Sequence, residues 1–383
     1  MKSINGVERA LSQRLSLLAE YGQYEVYLIT YNQYGAPFSF PISTKVHIID
    51  LATRYINRCY CHGFFQYLDR YFSKIRFGRE LYSCLDKVKP DIITCVDIHI
   101  VDLQIIINYK TDAHKVVECH CGLSSYFAEL KRISTPLKRF HGLLSKKEIV
   151  RTIKRFDKLI VMTESEKNDW HIDDKVVFIP NMLVEYPSEV YNRDKLQKKV
   201  ISVGRYAYQK GYDMLLYSWK TVQDKYPEWS LHIYGSRDGD MGDYSQIEKI
   251  KEQNQLDSVF LHPATNDVYS QYYESDFYVM SSRFESFGLV LIEAMSCGLP
   301  VISFDCKYGP HNIIHDGVDG TLVPLNDIEA LSSAICSMIE NAERRKSMAI
   351  NARQESKKYH PDNVMPLWYE FYKSLEKVHP THA

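Results

Sequence analysis

Long apolar runs are missing from this 383-residue chain. No stretch approaches the roughly 18 consecutive apolar residues a membrane-crossing helix needs, and residues 1–15 lack the apolar core of a signal peptide. The expectation is a cytoplasmic protein. Low-complexity tracts and internal repeats are also lacking, which removes disordered and collagen-like readings. So is any strong net charge, since 47 Lys and Arg face 48 Asp and Glu; no nucleic-acid partner is expected. Nine cysteines, an odd number scattered along the chain, fit reduced thiols better than a disulfide framework. Two clusters, Cys59-Tyr60-Cys61-His62 and Cys119-His120-Cys121, contain zinc-type ligands. Structural zinc sites usually pair ligands across about two to four residues, so buried free thiols and no metal site are expected.

What is present is an ordinary globular composition, 45% apolar and 25% charged, on a chain longer than one core usually organises. Two domains are therefore expected. Short β-branched or aromatic runs alternate with helix-like stretches, the mark of βα units around parallel sheets. In the first half the candidate strands are Glu25–Thr30, Val46–Ile49, Asp91–Val96, Lys115–Glu118, Leu159–Met162 and Val176–Ile179. In the second they are Lys199–Val203, Ser230–Tyr234, Val259–Leu261, Phe277–Met280, Val301–Phe304 and Thr321–Val323. Polar Leu183–Lys198, with Pro187, reads as a linker between domains at 1–182 and 199–360. The opening departs from the α/β pattern of strand, glycine turn and helix. Asn5-Gly6 stands almost at the start and Val7–Leu18 already has helical spacing, leaving Met1–Ile4 for a strand. A truncated or absent first strand is expected.

Chemistry concentrates between Ser281 and Pro300. After the strand Phe277–Met280, Gly288 permits close backbone approach near a helix start, Gly298 suits the left-handed position at its end, and Pro300 stops it. The turn lies at the carboxyl end of a parallel strand, where unpaired amides and the helix dipole favour a phosphate. Glu293 sits in the apolar run Leu289–Met295, where a carboxylate needs strong donors. A ribose diol would supply two; a structural salt bridge would serve equally. Glu285, in the turn itself, is placed to accept from sugar hydroxyls or to act as a helix-start acid. A second strand, Val200–Val203, opens into Gly204-Arg205 and then Lys210-Gly211. Its two cations suit a diphosphate leaving group, although each dipeptide alone is common in surface loops.

Together these features resemble family 4 of the GT-B fold glycosyltransferases. The resemblance covers residues 199–330 specifically, through Val203-Gly204-Arg205, Lys210-Gly211, Leu231–Gly235, Ser275-Asp276, the Glu-x7-Glu pair Glu285 and Glu293, Gly298-Leu299-Pro300, and Asp316-Gly317 to Val323. The first half matches more loosely at Gly6–Arg9, Lys89-Pro90-Asp91, Glu118-Cys119-His120 and Ile179-Pro180-Asn181. It implies two Rossmann-like domains across a cleft and retaining, metal-independent chemistry without a cofactor. It also implies that residues 361–383 pack back on the first domain through Trp368, Phe371 and Tyr372. Donor binding falls to Gly204, Arg205, Lys210, Glu285, Phe287, Gly288, Leu289 and Glu293; Glu285, His120, Arg205 and Lys210 are the catalytic candidates. Gly6 remains on the acceptor side. His120 would lie near the transferred sugar, though a core histidine between two cysteines would look the same.

The implied donor is a nucleotide diphosphate sugar, most simply UDP-linked, and the acceptor a surface polysaccharide or lipid-linked oligosaccharide. A non-catalytic GT-B subunit that binds a partner enzyme or glycan is the alternative. From Lys131 to Lys158, ten cations face only Glu148 and Asp157, with Ile149, Ile153 and Phe156 at helical spacing opposite them. Peripheral contact with an anionic membrane is the expectation there, and a plain solvated helix the alternative.

Overall fold

The computed structural model describes residues 6–31, 33–51, 64–96, 99–120, 122, 136–172, 174–183, 185–187, 196–237 and 244–376. Among these residues are twelve strands, each within two residues of its expected position: β1 Tyr27–Tyr31, β2 His47–Leu51, β3 Ile92–Val96, β4 His114–Cys119, β5 Lys158–Val161, β6 Val176–Phe178, β7 Lys199–Val203, β8 Ser230–Tyr234, β9 Val259–His262, β10 Phe277–Met280, β11 Val301–Phe304 and β12 Gly320–Val323. The helices are α1 Gly6–Glu20, α2 Phe64–Val88, α3 Ile100–Asn108, α4 Pro136–Ile153, α5 Glu164–Lys167, α6 Tyr212–Lys225, α7 Tyr244–Gln253, α8 Val268–Tyr273, α9 Leu289–Ser296, α10 Gly309–Ile313, α11 Ile328–Glu340, α12 Ala342–Ser356 and α13 Pro361–Leu375.

Among the described residues every strand pairing is parallel. Helices therefore cover the sheets, and the strands read as nearly unbroken apolar runs; β10 and β11 are buried at every position. The second-half sheet runs β12-β11-β10-β7-β8-β9. Counted from β7, this is the order 3-2-1-4-5-6 of a dinucleotide-type sheet, whose winding reverses between β7 and β10. A crevice must open at the carboxyl ends of those two strands, because the connections leave them toward opposite faces.

The first half holds two sheets, β1-β2 and β3-β4-β5-β6. Among the described residues no strand precedes α1 and no pairing joins β1 to β3; Met1–Ile4, the segment left for the missing strand, lie outside the described residues. One hydrophobic core runs through both halves, from Leu18, Val116 and Ile160 to Ile201, Leu291 and Phe371. The final helix α13 contributes to it, with Trp368 and Phe371 almost fully buried. Trp368 also lies over the Arg14 guanidinium, 4.1 Å from the ring centre, and Tyr369 and Tyr372 meet Tyr24.

The basic segment has a different use for its apolar stripe. Ile149, Ile153 and Phe156 are buried in the first-half core while Lys147, Arg151, Lys154 and Arg155 face outward. An apolar face for insertion into lipid is thus not available on this part of α4, which leaves a solvated cationic surface. The side chains of Lys131, Arg132, Lys138 and Arg139 lie outside the described residues.

The crevice depends on one glycine in particular. Gly211 has φ +62° before α6, and a Cβ there would lie 2.1 Å from the Ser281 carbonyl oxygen, just past β10. Gly211→Ala is expected to destabilise the fold by about 1–3 kcal/mol, through strain and displacement of the two loops. Gly317 has φ +77°, but a Cβ there would meet nothing within 4 Å; it should tolerate Asn with a change below about 1 kcal/mol. Urea unfolding midpoints of the two variants test this ranking, and equal losses would refute it.

Candidate active site

The loops leaving β7 and β10 are bound to each other. Arg283 N donates to Gln209 O at 2.7 Å, and its guanidinium reaches Tyr208 O and both carboxylate oxygens of Asp213. Gln209 Nε2 returns a bond to Phe284 O, and Ser281 Oγ donates to Lys210 O. These bonds carry Lys210 Nζ to 2.6 Å from Glu285 Oε1, which also accepts from Ser282 Oγ at 2.7 Å. Glu285 is buried. Lys210, one of the two cations suited to a diphosphate, is thus paired with Glu285. Arg205 is exposed at the cleft and makes no hydrogen bond or ion pair among the described residues.

Gly288 holds φ +94° at the entrance to α9, a left-handed conformation that turns the chain from the Glu285 loop into the helix. One turn further in, Glu293 is buried. Its donors are Arg9 Nη1 at 2.8 Å and Tyr272 OH at 3.4 Å, so the strong donors demanded by an apolar helix include a guanidinium from the first half. The salt bridge weighed as the alternative is present, between Arg9 and Glu293. Burial holds the Glu293 carboxyl above the usual carboxylate range even though Arg9 opposes it. Arg9 is a site residue that sequence reasoning misses; 284 positions separate it from Glu293, and its place in Gly6-Val7-Glu8-Arg9 is the one local signal. Leu289 and Gly6 face each other across the cleft, where a Cβ on Gly6 would come within 3.1 Å of Leu289 Cδ1. The Phe287 ring packs against Tyr359 in the shared core, which leaves its backbone as the part suited to a ligand.

On the opposite wall His120 follows β4. Its Nε2 lies 2.7 Å from Glu118 Oε1, and Arg14 Nη1 donates to that same oxygen. Glu118 is completely buried. Burial alone would raise its pKa, but Arg14 and His120 bring it down to about 2. Cys119 points to Glu166, with Sγ 3.6 Å from its Oε1, and does not join His120; Cys121 and Cys59–His62 lie outside the described residues. Among the described residues the one grouping of three metal-type ligands is His315, Asp319 and Glu355, where His315 Nδ1 already bonds Asp319 and Lys358 already pairs with Glu355.

A single cleft of about 1620 Å³ brings together Gly6, His120, Arg205, Lys210, Glu285 and Glu293. It lies at the β7/β10 reversal and is closed on the other side by α1 and the end of β4. Residues 187–355 match the family model described as glycosyl transferases group 1. Over that stretch the chain is similar to the glycosyl transferases of group 1. It is 28% identical over 367 residues to an amylovoran biosynthesis glycosyltransferase, AmsD, of Erwinia amylovora, covering 95% of this chain and 94% of the relative. It is 31% identical over 231 residues to an uncharacterized glycosyltransferase of Haemophilus influenzae, covering 57% of this chain and only 64% of that protein. Among solved structures, sucrose-phosphate synthase of Thermosynechococcus elongatus superposes with TM-score 0.77 at 19% identity, over 97% of this chain and 94% of that one. Anabaena HepE, solved in complex with UDP and glucose, superposes with TM-score 0.70 at 15% identity, over 98% and 97%. The chain has the GT-B fold.

Acid should weaken this fold in two stages. His232, lowered to about 4 by burial beside Lys199 and His262, contributes stability that is full above about pH 6.5 and lost as pH falls toward 4. Glu118, lowered from 4.5 to about 2, contributes stability that is full above about pH 4.5 and lost as pH falls toward 2. Melting temperatures recorded from pH 7 to 3 should decline through both windows. His232→Gln should flatten the first alone; an unchanged slope between pH 6.5 and 4 counts against this assignment.

Proposed function

We propose that this chain transfers a hexose-type sugar from a nucleotide diphosphate sugar, with UDP as carrier, to a hydroxyl of a surface polysaccharide or lipid-linked oligosaccharide, retaining the anomeric configuration. The observation that carries the reading is the pair Lys210–Glu285 at the sheet's reversal point, facing His120 across one cleft. Support comes from the GT-B fold, from the amylovoran glycosyltransferase aligned along nearly the whole chain, and from a structural neighbour solved with UDP and glucose.

In this reading the diphosphate lies at the mouth of the crevice, between Arg205 and the first turn of α9. Arg205 is a cleft cation without an internal partner among the described residues, and the α9 amides add a partial positive charge. Lys210, held by Glu285, adds a second cation whose charge turns toward the leaving group as the bond to the sugar lengthens. The glycosidic C1–O bond breaks with its electron pair passing to the phosphate oxygen. The acceptor hydroxyl forms the new C1–O bond on the same face, and its proton passes to the departing phosphate. Glu285 accepts from sugar hydroxyls at the junction of sugar and phosphate. Glu293 accepts from the ribose diol, which must share that carboxylate with Arg9 and Tyr272. No metal and no cofactor is assigned a part in these steps.

Glu285→Ala is expected to lower transfer by about 100- to 1,000-fold, the scale for losing one preorganised polar group at a developing charge. Glu293→Ala should chiefly weaken donor binding, by roughly 10-fold or more, as expected for two lost hydrogen bonds to a charged acceptor. A thermal-shift panel of nucleotide sugars identifies the donor by the rise in melting temperature, and UDP release with that donor measures turnover. Wild-type turnover in Glu285→Ala, or no shift with any nucleotide sugar, would overturn the proposal.

A further inference from the structure

The interior of the first half contains a charged couple that the transfer chemistry does not itself require. Glu118 and Arg14 are both buried, and Glu118 pairs in register with apolar Ile160 of β5. The couple is half satisfied: among the described residues Glu118 Oε2 and Arg14 Nε have no hydrogen-bond partner. Such pairs are seldom worth their desolvation, and an apolar replacement of the same volume is often no less stable. The place of this one, directly beneath His120, points to a different use.

Glu118 and His120 are two apart at the end of β4, so their side chains share one face of the strand. Arg14 lies on the carboxylate oxygen that also meets His120 Nε2, and Trp368 of α13 stacks over its guanidinium. An ionised carboxylate only accepts hydrogen bonds. His120 Nε2 must then carry the hydrogen. Nδ1, which has no partner among the described residues and is not sealed in the core, is the ring nitrogen left for the cleft.

We infer that Glu118, anchored by Arg14 and through it by α13, is a positioning residue that holds His120 as the Nε2–H tautomer and presents Nδ1 as an acceptor for a hydroxyl hydrogen of the bound sugar. The inference rests on the reading of the cleft as a nucleotide-sugar site. It adds a specificity consequence: a donor sugar lacking the hydroxyl that meets Nδ1 is transferred poorly.

Two measurements test it independently of each other. Protein labelled with ¹⁵N-histidine, with the His120 signal assigned by its loss in His120→Asn, reports the tautomer directly at pH 8. Nε2–H is expected in the wild type. In Glu118→Ala that preference should be lost, whereas Glu118→Gln, which keeps an acceptor oxygen, should retain it. In the transfer assay Glu118→Gln should lower kcat by about 10- to 100-fold, the range for removing the partner that orients a functional imidazole in metal sites. It should also move the acidic limb of the pH–rate profile to lower pH and leave UDP affinity within about twofold. Retained UDP affinity shows that the variant is folded; if Glu118→Gln fails that check, Arg14→Lys replaces it and is held to the same kcat and pH-profile shifts. A wild-type Nδ1–H tautomer, or a folded variant with an unchanged kcat and pH profile, overturns the inference. If wild-type protein binds no nucleotide sugar, the functional reading fails, while the tautomer spectrum still judges the positioning of His120.

Discussion

Lys210 and Glu285 belong to loops that leave two adjacent strands, β7 and β10, at the point where the sheet changes its direction of winding. Nothing in the sheet itself closes that seam, since the helices that follow the two strands depart to opposite faces. The ion pair spans it, and the loop-to-loop bonds of Arg283, Gln209 and Ser281 hold it at 2.6 Å. Gly211 is required because the two backbones come too close for any side chain. The geometry of the cleft floor thus follows from topology, with one electrostatic contact selecting which side chains meet there.

The cleft roof is built differently, from α1. Arg9 reaches Glu293 on α9, and Arg14, about one and a half turns further on, reaches Glu118 at the end of β4. One helix therefore holds an acid in each half. Removing either arginine would leave a carboxylate buried without its cation, a change that commonly costs about 3–5 kcal/mol. Both contacts tie donor-side and opposite-side groups to the same rigid element, and α13 braces it from behind through Trp368 and the tyrosine contacts to Tyr24. The placement of His120 relative to Glu285 is consequently a property of helix packing more than of loop conformation.

This difference explains what is legible in the sequence. The strands are, because parallel strands covered on both faces must be apolar throughout and are bounded by polar turns; Phe277–Met280 and Val301–Phe304 leave little choice. Glu285 and Glu293 are legible as unusual positions, a carboxylate in a glycine-bounded turn and another inside an apolar helix. Their partners are not. That Arg9 meets Glu293, or that Lys210 meets Glu285 in preference to standing free, depends on tertiary contacts that local spacing does not encode. The amphipathic pattern around Ile149, Ile153 and Phe156 does mark a helix with a cationic face. Its apolar side, however, is satisfied by the protein's own core, and periodicity alone cannot distinguish a core from a membrane.

The pairing pattern has a consequence for charge. Among the cleft residues described above, Lys210 is balanced by Glu285, Arg9 by Glu293 and Arg14 by Glu118. Arg205 alone lacks an internal counter-ion among the described residues. Under the function proposed above, a diphosphate would meet the Arg205 guanidinium, the amides of α9, and a lysine already shared with a carboxylate. In that reading the charge gathering on the phosphate oxygen as the sugar departs would draw Lys210 toward it and free Glu285 for a sugar of growing positive character. An ion pair used in this way would favour the charge-separated state over the bound donor, and such a difference is what accelerates a reaction.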